Sequence, residues 1–155
     1  MRSAHGELNV LRHPPHDLIR AAGGIGVRTD PDGRMLLGCL YRESQGDWTF
    51  PKVAVRSGES FEKAASRAMW EKSGVRGEVI CFVGATSYTH RKGHPKIVAY
   101  FLMATFENAD HQFAENYPLE WLSVDRLRLR LTWELDLEIL DQTAQRLEQQ
   151  EVGPK

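Results

Sequence analysis

Apolar residues occur along this chain in two kinds of block. Leu18 to Arg28 is apolar, carries Gly23, Gly24 and Gly26, and suits a core strand; Met35 to Tyr41 reads as the next. Between them Asp30-Pro31-Asp32-Gly33 has tight-turn chemistry, because Pro presets one dihedral and Gly accepts positive φ. A β-hairpin is expected. After a polar loop, Trp48 to Phe50 reads as a short strand ended by Pro51, and Lys52 to Ser60 shows no clear period. The pattern then changes. Phe61, Ala64, Ala65, Ala68 and Met69 form a helical stripe, with Ser60 as N-cap, Glu62 near the positive helix end and Gly74 as the stop.

Glu78 to Tyr88 and Lys96 to Glu107 read as two more strands, joined by the basic loop His90-Arg91-Lys92-Gly93-His94-Pro95. Asn108 to Tyr117 is an acidic loop and Leu119 to Val124 a strand around Trp121. Thr132 to Gln149 has helical apolar spacing at Leu135, Leu137, Leu140 and Ala144. The order β-β-β-α-β-β-β-α predicts an α+β fold, a mixed sheet with helices on its faces. Residues 1–17 are expected to be an N-terminal extension, 18–149 one domain and 150–155 a loose tail.

Composition adds little to that picture. With 155 residues, 41% hydrophobic and 26% charged, the chain suits one ordinary globular domain. A formal net charge of -1 gives no chain-wide nucleic-acid or membrane signal, although a local basic patch is compatible with it. Cys39 and Cys81 each lie in an apolar run and are expected to be reduced core thiols. The N-terminal residues lack an apolar core for a secretory signal, and the longest apolar run, Ile97 to Ala104, is too short to span a membrane. A cytoplasmic or nuclear location is the default expectation.

The chemical signal lies in two segments, Pro51-Lys52-Val53-Ala54-Val55-Arg56-Ser57-Gly58-Glu59 and Arg67-Ala68-Met69-Trp70-Glu71-Lys72-Ser73-Gly74-Val75. Together they resemble the Nudix signature: Gly, five residues, Glu, seven residues, then Arg-Glu-apolar-x-Glu-Glu-x-Gly-apolar. Glu59, Arg67, Met69, Glu71, Gly74 and Val75 match. Val53 stands where the Gly belongs, and Ala68 and Lys72 where two glutamates belong. The resemblance implies a Nudix-type α/β/α sandwich with a mixed sheet. Arg20-Ala21-Ala22, Arg42, Gly74-Val75-Arg76-Gly77 and Glu120-Trp121-Leu122 are similar to the diphosphoinositol polyphosphate and diadenosine polyphosphate hydrolase branch.

That family cleaves diphosphate linkages with water activated by a divalent metal, Mg2+ in the first instance. Magnesium requires hard oxygen ligands, and positions 68, 71 and 72 share one helix face. Here they read Ala, Glu, Lys, so Lys72 reverses a charge where a dication would bind. Poor metal binding is expected, and the β-branched Val53 is expected to send its loop along a different path. Glu71 has two readings: a lone catalytic metal ligand, or a partner of Lys72 or Arg67. Glu107, Asp110 and Glu115 are possible auxiliary carboxylates, with Glu115 the chosen metal candidate. Glu59, Arg67 and Gly74 read as structural, Arg67 pairing with Glu59.

Arg20, Arg42, Lys52, Arg91 and Lys92, with Lys72 and Lys96 beside them, are candidates for phosphate contact, or else solvated surface charges. His90 and His94 read as loop residues ahead of a metal pair. Gly23-Gly24-Ile25-Gly26 lacks the context of a dinucleotide fingerprint and reads as close strand packing. Two functions stand. The first is a degenerate Nudix domain that binds a phosphorylated small molecule, inositol polyphosphate or nucleotide-like, or else a protein partner, with no cofactor and weak or absent hydrolysis. The second is an active metal-dependent pyrophosphohydrolase.

Overall fold

Strand β1 (Ile19–Thr29) is the spine of the sheet, since three other strands pair directly with it. The computed structural model describes residues 18–90, 92–106 and 117–152. Strand β2 (Met35–Arg42) pairs antiparallel with β1 across the Asp30–Gly33 turn, with Val27 opposite Leu37. In that turn the Asp30 carboxylate accepts the N–H groups of Asp32 and Arg34, and Gly33 takes φ 82°. Strand β3 (Asp47–Thr49) follows on β2, and β4 (Lys52–Ala54) pairs antiparallel with β1.

Helix α1 (Phe61–Ser73) crosses to β5 (Arg76–Thr89), which forms a hairpin with β6 (Pro95–Phe106). Strand β6 lies parallel to β1, Ala22 opposite Ala99, which makes the sheet mixed. Strand β7 (Glu120–Leu122) adds to β2, and helices α2 (Val124–Arg130) and α3 (Glu134–Val152) complete the chain.

The period-two alternation of β1 divides the core. Ala21 and Ile25 face one side, with Phe50, Tyr100, Leu127, Ile139 and Leu140. Ala22 faces the other, with Ala64, Ala65, Met69, Ala99 and Met103. Thus α1 covers one face and α2 and α3 the other, an α/β/α sandwich. Glycines allow the tight contact on β1: a Cβ at Gly23 would lie 2.6 Å from the Tyr100 ring and 2.8 Å from the Pro51 carbonyl oxygen. Cys39 is buried, Cys81 half-buried, and both are free; burial pushes the Cys39 thiol up to about 12.

Three segments differ from the sequence reading. The aperiodic stretch after Pro51 contains β4, whose ladder to β1 is a tertiary contact with no local period. Val53 therefore sits in extended backbone opposite Ala22, packed against the core cluster that contains Met69. Helix α2 escaped because Arg126 to Leu131 alternates polar and apolar residues like a strand. Its helical face is the Leu127–Leu131 spacing, capped by Ser123, while Leu129 is 81% exposed. The last helix begins at Glu134 and runs to Val152, into the segment expected to be a loose tail.

Candidate functional site

Helix α1 is placed by its ends. Ser60 Oγ accepts the Lys63 N–H at 3.1 Å, and Gly74 closes the helix at φ 73°, donating to the Trp70 carbonyl. Arg67 ties the preceding loop to the helix. Its Nε and Nη2 grip Glu59 at 2.9 Å each, Nη2 also reaches the Ala54 carbonyl at 2.7 Å, and Nη1 reaches Glu71 at 3.2 Å. Glu59 further accepts the Arg56 N–H at 3.0 Å. The Arg67 hydrogen bonds, then the Arg56 N–H, hold the Glu59 carboxyl down at about 2.

Glu71 is held on one side by Arg67 and on the other by Arg56 at 3.7 Å, with its side chain 33% exposed. Ala68 is fully buried against the sheet, so positions 68 and 71 do not share solvent. Among the described residues no group of three carboxylates, imidazoles or thiols converges to hold a metal ion. Magnesium does not fit this donor set: the one box carboxylate near the helix end is engaged by two arginines, and Lys72 follows it. Glu107, Asp110 and Glu115 lie outside the described residues.

Lys72 borders a concave feature formed by the described residues. A cavity of about 640 Å³, a size typical of small-molecule sites, is lined by Arg42, Lys52, Lys72 and Lys96 among others. Among the described residues its wall carries no carboxylate. Lys52 comes from β4, Lys72 from the last turn of α1, Lys96 from the start of β6 and Arg42 from the end of β2, so the fold gathers four separate elements. Tyr117 closes one edge, donating its N–H to the Lys72 carbonyl and sharing a 2.9 Å hydroxyl hydrogen bond with Ser44.

The remaining basic candidates lie elsewhere. Arg20 is exposed on β1 outside the cavity wall, because its neighbour Ala21 takes the cavity side of the strand. Lys92 is exposed at the tip of the β5–β6 turn, which backbone hydrogen bonds between His90 and His94 and between Gly93 and His90 close. Arg91 lies outside the described residues.

Two buried carboxylates beneath the cavity were not legible as site residues. Asp47 accepts Arg42 Nε at 2.8 Å and Nη2 at 2.5 Å, and the Trp133 indole N–H at 3.0 Å. The Arg42 hydrogen bond holds the Asp47 carboxyl below its usual range, and Arg42 is correspondingly fixed in direction. Asp136 accepts the Thr49 hydroxyl at 2.8 Å and the Tyr100 hydroxyl at 3.4 Å. Burial pushes its carboxyl up, opposed by the Thr49 hydrogen bond and the charge of Lys52. The five-residue spacing of Arg42 and Asp47 across a tight turn was the one local hint of this pairing.

Comparison with known proteins fits this architecture. The NUDIX domain family matches residues 18–146. A MutT-like protein of Streptomyces ambofaciens is 28% identical over 128 residues, covering 83% of this chain and 78% of that protein. An RNA pyrophosphohydrolase of Caulobacter vibrioides is 41% identical over 66 residues, 42% of this chain and 36% of that one. The match likewise spans 46% of a relative from Mycobacterium tuberculosis, so the chain covers less than half the length of several curated relatives.

Among solved structures, an Ap4A hydrolase of C. elegans superposes with TM-score 0.68 at 23% identity, over 84% of this chain and 98% of that one. The NUDIX domain of Shewanella oneidensis NrtR, solved with ADP ribose, also gives 0.68, at 16% identity over 91% and 98%. These likenesses extend the fold match to nearly whole domains. With residues 18–146 matched and the sandwich in place, the chain belongs to the NUDIX family.

Proposed function

We propose that this NUDIX domain binds a phosphorylated small molecule, inositol polyphosphate or nucleotide-like, and that its hydrolysis of diphosphate linkages is weak or absent. The observation that carries the reading is the cavity wall: Arg42, Lys52, Lys72 and Lys96 converge on one space with no lining carboxylate among the described residues. Fixed cations recognise phosphate oxygens through charge-assisted hydrogen bonds, and the Asp47 clamp holds Arg42 ready for such contact. The ammonium of Lys72 stands where the family signature has a carboxylate, so it supplies positive charge that a bound dication would otherwise supply. One neighbour in fold, the NrtR NUDIX domain, has been solved with ADP ribose, a diphosphate-containing nucleotide, which agrees with this class of ligand.

A second reading is metal-dependent hydrolysis through Glu71 and Glu115. It is favoured by the similarity to an RNA pyrophosphohydrolase over the segment matched. Thermal unfolding separates the two. Under the binding reading, millimolar tripolyphosphate or inositol hexakisphosphate raises the unfolding midpoint in the presence of a chelator, and magnesium alone does nothing. Stabilisation that requires magnesium, together with release of phosphate, would instead establish the hydrolase.

A further inference from the structure

Trp133 lies between α2 and α3, outside the cavity wall, and is 52% exposed. Its backbone is nevertheless fixed. The Thr132 N–H donates to the Trp48 carbonyl at 3.2 Å, the Thr132 hydroxyl accepts the Trp48 N–H at 2.9 Å, and the Trp133 carbonyl accepts the Leu137 N–H at 3.1 Å. From this anchored position the indole N–H turns inward to Asp47 Oδ2 at 3.0 Å. Asp47 itself is only 3% exposed.

Asp47 holds Arg42 by one edge: Nε donates to Oδ1 and Nη2 to Oδ2. A guanidinium carries its donors in a rigid planar fork, so the Nη1 hydrogens and the second Nη2 hydrogen form another edge, suited to a phosphate. Arg42 belongs to the cavity wall, and the wall residue Tyr117 contributes to the field at its guanidinium. The aim of that second edge follows the plane of the Asp47 carboxylate, whose own torsion is soft. Arg42 and Asp47 are register partners on β2 and β3, so the two side chains can swing as a pair. The indole comes from a segment far along the chain and gives the pair a fixed outside point.

We propose that Trp133 is a positioning residue for anion binding: by holding Asp47 from outside the cavity, it fixes the guanidinium edge that Arg42 presents inside. The proposal rests on the phosphate-binding reading of the same cavity. Asp47 and Trp133 are not part of the wall, so their effect passes through Arg42.

The test is calorimetric titration of tripolyphosphate, in chelator, into the full chain and its W133F, R42K and W133F/R42K variants. Phe keeps an aromatic ring and drops the N–H. W133F is expected to weaken binding roughly three- to tenfold, the range of one ordinary hydrogen bond. In the R42K background the same change should cost less than about a factor of two, because a lysine has no second edge to aim. In the free protein the Arg42 Nε–H signal, followed by NMR, should exchange with solvent faster in W133F than in wild type.

Equal losses in the two backgrounds overturn the proposal, since Trp133 would then act on the fold and not through Arg42. If R42K does not fold or does not bind, the Nε–H exchange decides, and an unchanged rate in W133F overturns it. If wild type binds tripolyphosphate and W133F binds it equally well, the cavity reading stands and the Trp133 proposal falls. Absence of binding by wild type defeats both.

Discussion

Arg67 engages five acceptor atoms on two glutamates and one carbonyl, and it does so from a mostly buried position. Removing it would leave Glu59 and the Ala54 carbonyl short of donors. R67A is therefore expected to destabilise the domain by on the order of 2–3 kcal/mol, a fall of roughly 5–10 °C in the unfolding midpoint. R67K should recover only part, because a lysine cannot fork.

Glu59 gives the same contact a pH signature. Its folded pKa of about 2 lies below the ordinary 4.5, so the stability it contributes is full above 4.5 and is lost as pH falls from 4.5 toward 2. In denaturant titrations the gap between wild type and E59Q should be widest near pH 6 and close near pH 2. A constant gap would show that charge plays no part in the pair. The Arg67–Glu59 pairing was legible because it follows from spacing in one signature. Asp47 and Asp136 were harder to read: beyond the nearby Arg42, Asp47 is held by Trp133 from far along the chain, and Asp136 by Thr49 and Tyr100 on distant strands.

Helix α1 carries the family's pattern, and its packing decides what each departure means. Ala68 is sealed against the sheet beside Ala64, Ala65 and Met69, whereas Lys72 borders the cavity. A68E would bury a carboxylate and overfill a packed seam. It is expected to cost on the order of 2–4 kcal/mol. K72E, at a half-exposed position, should stay within about 0.5–1 kcal/mol of wild type. Comparison of the two urea midpoints checks this; equal costs would show that position 68 is less enclosed than described. The helix, the first hairpin and the β5–β6 pair were all readable from period and punctuation. Strand β4 and helix α2 were not. The former exists through its ladder to β1, and the latter has a strand-like alternation overridden by burial of Leu127 and Leu131.

Across the whole molecule, four elements converge to build a cavity of one charge sign in a chain whose formal net charge is -1. Net charge hid this site, as the basic side chains are dispersed in sequence and gathered only by the sheet. Lys52 and Lys72 were nameable in advance from their places around the signature, and Arg42 and Lys96 from the similarity to the polyphosphate-hydrolase branch; which of the many basic residues share one cavity was not, and Arg20 and Lys92 lie outside its wall. The central claim is that these fixed cations bind phosphate without metal. Isothermal titration of tripolyphosphate in chelator, into wild type and K72E, tests it most directly. Binding by wild type without magnesium is expected, weakened by about tenfold or more in K72E as a two-unit change in local charge demands. Equal affinity of the two proteins, or binding that appears only when magnesium is supplied, would contradict it.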